Sequence, residues 1–174
     1  FCFPRGTSLK NMQFEINHSI HSISEAEWDS LNSGDFPFTR YAFLSALEQQ
    51  IGYTFQDPLL PLQALTHKSF SNEQVADLSP HNERLEFLGD AVLELAVSEW
   101  VYRRYPEIPE GGLTRLRSEV VSEKGLLTIA RRLSLGDGLR LGKGEEKSGG
   151  RRKPSLLSDA VESLLGAVFC DGGF

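Results

Sequence analysis

The sequence predicts an all-α domain from about Leu47 onward, and three observations carry that expectation. Apolar residues recur at helical spacing in nearly every segment after Leu47. The period-two alternation that marks half-buried strands is almost absent. The breakers Pro106, Pro109, Gly136-Asp137-Gly138 and Gly149-Gly150 fall between the periodic runs rather than inside them.

The elements follow in order. The chain starts at Phe1 and its single Met is Met12, so residues 1–13 are read as leader sequence. Residues 14–46 read as a short strand, a capped turn over Ser24–Trp28, an Asn-Ser-Gly-Asp loop at 32–35 and a helix from about Thr39. That segment is too short to bury a core alone. Thr54–Asp57 and Pro58 form a loop with a helix start, after which Leu59, Leu60, Leu62, Leu65 and His67 keep helical spacing. Residues 71–81 are a polar connector containing Pro80. A long helix is expected from Asn82 to Tyr105, stopped by Pro106 and Pro109. Further helices are expected near 112–120, 123–133 and 155–170, with Pro154 well suited to the first turn of the last.

Composition narrows the function classes. The 174 residues, 40% hydrophobic and 24% charged, match one ordinary globular domain with some extra chain. Cys2 and Cys170 have no metal-ligand spacing and are read as reduced thiols, not a disulfide framework. No run of 18 apolar residues and no basic-then-apolar leader occurs, so neither a membrane span nor a secretory signal is read, and the expected location is cytoplasmic. The net charge of −6 counts against a nucleic-acid partner only if charge is spread evenly. It is not: Arg140 to Lys153 holds six basic and two acidic residues, an excess of four, in a Gly-rich and therefore flexible stretch.

The acids are patterned too. Glu83, Glu86 and Asp90 stand at i, i+3 and i+7, one stripe of a helix with about 3.6 residues per turn, while Leu85, Leu88, Val92, Leu95 and Ala96 form an apolar face. Like charges at this spacing repel by a few tenths of a kcal/mol each, so a cationic partner is expected. Asp159 and Glu162 repeat the i, i+3 spacing between Leu156, Leu157, Ala160, Val161, Leu164 and Leu165, in a helix apolar almost all round. Carboxylates in such surroundings are rarely tolerated unless paired or metal-bound. Oxygen donors from two converging helices suit Mg²⁺ or Mn²⁺ rather than zinc, and such an ion can activate water and stabilise charge on a phosphodiester.

Asn82 to Asp90, NERLEFLGD, resembles the signature of the ribonuclease III family. The agreement extends to LEQQIGYTFQDPLLPLQALTHKSF, to PEGGLTRLRSEVVS and to LRLGKGEEKSGGRRKPSLLSDAVESLLGAVFCDGG, spanning Leu47 to Phe174 in the family's order. The resemblance implies the family's all-α endonuclease domain, in a homodimer whose subunits each cut one strand of double-stranded RNA. Products would carry 5′-phosphate and 3′-hydroxyl ends, in ribosomal or messenger RNA processing. It implies Asp90 and Glu162 as catalytic residues and Glu86, Asp159 and Glu162 as Mg²⁺ ligands. Glu83 and Glu110 match two further acids of the catalytic valley, Phe87 a position packed across the two-fold interface, and Arg151, Arg152 and Lys153 a basic stretch near the RNA. No small-molecule cofactor and no membrane partner are expected.

Two features depart from the simple bacterial pattern. A further helix and a double-stranded-RNA-binding domain follow Gly-Gly-Phe in those relatives, so the chain is read as a domain truncated before its last helix. Ahead of Leu47, the residues Ile23, Glu27, Trp28, Leu31, Pro37, Phe38, Phe43, Leu44, Ala46, Leu47 and Glu48 resemble the opening of a bacterial acyltransferase-like family linked to peptidoglycan biosynthesis. That segment, taken as 14–46, is read as a fusion fragment, and no function is carried over from it. The rival reading of 47–174 is a non-catalytic relative that binds structured RNA, which would be expected to lose metal ligands; none is lost.

Overall fold

The structure, a computed structural model, describes residues 41–73 and 80–174. The leader, the strand, turn and loop expected before residue 40, and most of the polar connector lie outside them. The described residues form α1 (Tyr41–Ile51), α2 (Leu59–Ala64), α3 (Lys68–Glu73), α4 (Glu83–Arg104), α5 (Glu110–Val121), α6 (Glu123–Arg132), the single turns α7 (Leu135–Gly138) and α8 (Lys143–Lys147), a 3-10 turn (Gly150–Arg152) and α9 (Pro154–Gly172). No strand occurs among them; one isolated bridge joins Thr66 to Arg140. The fold is all-α, and among the described residues no helix is long and apolar enough to cross a membrane.

α9 runs through the middle and packs on α4, α6 and α2. Its Leu157, Ala160, Val161, Leu164 and Ala167 are buried, as its nearly continuous apolar sequence requires. Pro154 begins it, where a missing N–H is harmless. Its last turn is fastened by Asp171, whose carboxylate accepts the Tyr53 hydroxyl at 2.7 Å and the backbone N–H groups of Gln56 and Asp57 at 2.8 and 2.9 Å. α6 starts on Ser122, whose hydroxyl accepts the Gly125 N–H at 3.1 Å.

Two expectations meet a different outcome. The run from Leu59 to His67 does not stay helical: α2 ends at Ala64 because the next residues pair with residue 140, His67 N–H donating to Arg140 O at 3.0 Å and Arg140 N–H to Leu65 O at 2.8 Å. Gly136-Asp137-Gly138, expected as a breaker, lies in a helical turn. The expected division between residues 46 and 47 falls inside α1, where Leu44 and Leu47 are buried in one cluster with Phe55 and Leu164. Glu48, 3% exposed, accepts the Phe55 N–H at 2.8 Å, and the Phe43 ring fills the space a side chain on Gly138 would need. Phe43 and Leu44 thus pack against residues that follow position 47.

Candidate metal centre

The centre is built where α4 crosses α9, and two glycines set how closely they approach. A Cβ on Gly89 would lie 1.7 Å from the carbonyl oxygen of Glu162, and one on Gly166 2.2 Å from that of Leu85. The helices are thus in backbone contact, closer than any side chain permits. Glu86 sits one turn before Gly89, and Glu162 one turn before Gly166, so the carboxylates project from the edge of this contact. Oxygens of Glu86, Asp159 and Glu162 converge within 4.8 Å of one another.

Electrostatics shows that the protein itself leaves these acids under-compensated. Burial, then the charges of Asp90, Asp159 and Glu86, push the Glu162 carboxyl up to about 7. Glu86 is raised by burial and by Asp159 and Glu83, and Asp159 by burial and by Glu123. Lys68 offsets part of the rise at Glu86 and Asp159. Three half-buried carboxyls whose ionised forms are all disfavoured by burial and by neighbouring carboxylates form an oxygen-only donor set whose repulsion a hard divalent cation relieves, so these residues fit Mg²⁺ or Mn²⁺. Asp90, next along the α4 stripe, is exposed and contributes its charge at Glu162.

Comparison with known proteins identifies the family. The Ribonuclease-III-like family pattern matches residues 57–174. The chain belongs to the ribonuclease III family. It is 64% identical over 128 residues to Ribonuclease 3 of Syntrophotalea carbinolica and 58% identical over 128 residues to that of Nitratidesulfovibrio vulgaris, in each case 74% of this chain and 55% and 50% of the relative. It thus spans about half the length of the curated relatives it matches. The crystal structure of the nuclease domain of ribonuclease III from Campylobacter jejuni superposes with a TM-score of 0.68 at 45% identity, covering 75% of this chain and 84% of that one.

Other residues singled out in this ribonuclease III sequence fall in three places. Glu83 lies beside the cluster with its carboxylate paired to Lys68 Nζ at 2.7 Å, which holds the acid below its ordinary range. Glu110 starts α5 and lines a groove of about 440 Å³ together with Leu95, Tyr102 and Leu113; it is not among the converging oxygens, and accepts the Thr114 hydroxyl at 2.9 Å. Phe87 projects from α4 at 83% exposure.

The basic stretch is the clearest correction. Expected as a flexible loop, it folds into α8 and the 3-10 turn. Arg151 donates to the carbonyls of Gly136, Asp137 and Leu139 at 2.9, 3.2 and 2.8 Å and pairs with Glu146 at 2.7 Å. Lys153 is bonded to Glu145. Arg152 alone of the three is exposed with no ion pair among the described residues. The sequence reading missed Lys68, Glu123, Gly89 and Gly166. The glycines carried a signal, since a glycine inside an apolar helix costs about 1 kcal/mol and needs a packing reason.

Proposed function

We propose that the protein is a Mg²⁺-dependent endonuclease that hydrolyses phosphodiester bonds of double-stranded RNA to 5′-phosphate and 3′-hydroxyl ends, acting as a homodimer. The observation that carries this reading is the convergence of Glu86, Asp159 and Glu162 oxygens at the α4–α9 crossing. Those three residues hold the metal. Mg²⁺ or Mn²⁺ there supplies positive charge that acidifies water and stabilises a phosphodiester in transition. Asp90, exposed at the edge of the cluster, is free to accept a proton from the attacking water. Glu162 closes the donor set, and a cation there offsets the burial and like charges that raise its carboxyl in the metal-free chain.

A dimer face fits on α4. Phe87, Leu95 and Tyr102 are exposed along one side of that helix, and the neighbouring groove, lined by Leu95, Tyr102 and Leu113, offers apolar surface for a second copy. RNA contacts outside the metal centre fall to Arg152, with Arg151 and Lys153 supporting the turn that presents it. Recognition through phosphates and shape matches this sparse set of contacts.

Cleavage of a long RNA duplex in Mg²⁺ should vanish with Glu162→Ala or Asp90→Asn while the circular dichroism of the protein is unchanged. Mg²⁺-dependent cutting that survives in Glu162→Ala would overturn the assignment. Phe87→Glu should turn a dimer into a monomer by sedimentation.

A further inference from the structure

Lys68 opens α3, and the two residues before it are pinned to Arg140 and to the start of α4. His67, just before it, donates its N–H to Arg140 O at 3.0 Å, and Asn82, just before α4, donates its N–H to Thr66 O at 2.9 Å. Its ammonium reaches one carboxylate oxygen of Glu83 at 2.7 Å, while His81 Nδ1 lies 3.8 Å from the other oxygen. More than half of the Lys68 side chain remains exposed. An exposed pair of this kind contributes at most about 1 kcal/mol to stability, so folding does not explain why a lysine is held in this place. An ammonium has three donors, and a single bonded carboxylate leaves two for another acceptor.

What this place lacks is attraction for a polyanion. Glu83, Glu86, Asp90, Asp159 and Glu162 face the same region, and every one of them repels a phosphate when ionised. Among the described residues Lys68 is the cation whose charge offsets part of the rise at both Glu86 and Asp159, so it stands within electrostatic reach of two of the three converging acids.

We propose that Lys68 is a substrate-binding residue of this site, an ammonium that Glu83 steers to the rim of the Glu86–Asp159–Glu162 cluster to take a phosphate oxygen of the RNA. The assignment rests on the phosphodiester-hydrolysis reading above. It gives Glu83 a role distinct from ligation: Glu83 orients the lysine, and the lysine meets the nucleic acid.

Lys68→Gln separates this role from a purely structural or counter-ion role, using the full chain. Binding of an RNA duplex in EDTA should weaken about fivefold at 0.15 M salt, and the slope of log K against log salt should fall by about 0.9, the loss expected for one phosphate contact. Mn²⁺ binding without RNA, followed by calorimetry, should be unchanged or tighter, because a positive charge has left the neighbourhood of the ligands. In cleavage, KM should rise, with Lys68→Arg recovering most of the loss. Unchanged duplex affinity and salt slope in Lys68→Gln would overturn the proposal, and so would Mn²⁺ binding lost in step with cleavage. A wild-type protein that binds duplex but never cuts it would fail the hydrolysis reading alone, because the binding arm still reports on Lys68.

Discussion

The α4–α9 crossing and the segment from Arg140 to Lys153 carry charge of opposite sign, and the fold treats them in opposite ways. The basic segment engages part of its charge internally: Arg151 binds three carbonyls and Glu146, Lys153 binds Glu145, and Arg140 lies over the Phe70 ring at 4.2 Å. The acidic crossing is left unbalanced, with Glu86, Asp159 and Glu162 all raised above their ordinary proton affinity. A protein left to minimise its own energy pairs its charges. The region where it does not is therefore the one arranged for something outside the chain, and a run of basic residues in a sequence is a poor guide to which cations are available.

The crossing can be broken without touching a charge, and that is the largest effect expected. Gly89→Ala gains about 1 kcal/mol of helix propensity but places a methyl group 1.7 Å from the Glu162 carbonyl oxygen. Backbone cannot yield as a flexible side chain can, so overpacking of about 3 kcal/mol or more outweighs the gain. Thermal unfolding should drop sharply, and Mn²⁺ binding should fall because α4 is forced away from α9. Gly111→Ala, on α5 with nothing near its would-be Cβ, is the control and should stabilise by about 0.5–1 kcal/mol. If the two alanines behave alike, the close approach does not set the site.

The acidic side of this contrast could be read from the sequence, for identifiable reasons. The i, i+3 spacings of Glu83, Glu86, Asp159 and Glu162 are local, and helical geometry alone puts each pair on one face. Boundaries were legible wherever a proline or cap marks them: α4 ends at Arg104 before Pro106, and α9 begins at Pro154. What was illegible is tertiary. No local signal tells that Arg151 would find three carbonyls 12 to 15 residues earlier in the chain, or that residues 65–67 would leave helix to pair with Arg140. The packing of the residues just before and after position 47 is tertiary in the same way. Phe43, Leu44, Leu47 and Glu48 resemble another family's opening, yet in this fold Leu44, Leu47 and Glu48 are buried and Phe43 packs on Gly138.

The basic segment gives the second test, of intermediate size. Arg151→Ala strands three carbonyls and a carboxylate, so it should cost about 2–3 kcal/mol in denaturant unfolding. Arg152→Ala touches no internal partner and should change stability by less than about 0.5 kcal/mol. RNA binding should show the reverse order once measured on folded protein, with Arg152→Ala lowering the salt slope by about 0.9. Equal stability losses for the two arginines would remove the distinction between a structural and an available cation.

The smallest effect sharpens the acidic side of the comparison through pH. The Glu162 carboxyl is raised from 4.5 to about 7 in the folded chain. Below pH 4.5 it is protonated in both folded and unfolded states, and its preference for the folded environment is fully present. As pH rises from 4.5 to about 7 the unfolded chain releases the proton first, so the metal-free protein loses stability through that window. Glu162→Gln cannot ionise and escapes the loss. Without metal the variant should melt a few degrees above wild type at pH 8, and the two should converge near pH 4.5; part exposure of the residue keeps the difference modest. Saturating Mg²⁺ should reverse the order at pH 8, because wild type then gains a ligand's binding energy that the amide supplies poorly. The melting temperatures of both proteins, at two pH values with and without Mg²⁺, check the whole cycle. A variant no more stable than wild type at pH 8 in EDTA would mean that Glu162 is already compensated within the fold, and that the crossing is not the unbalanced region.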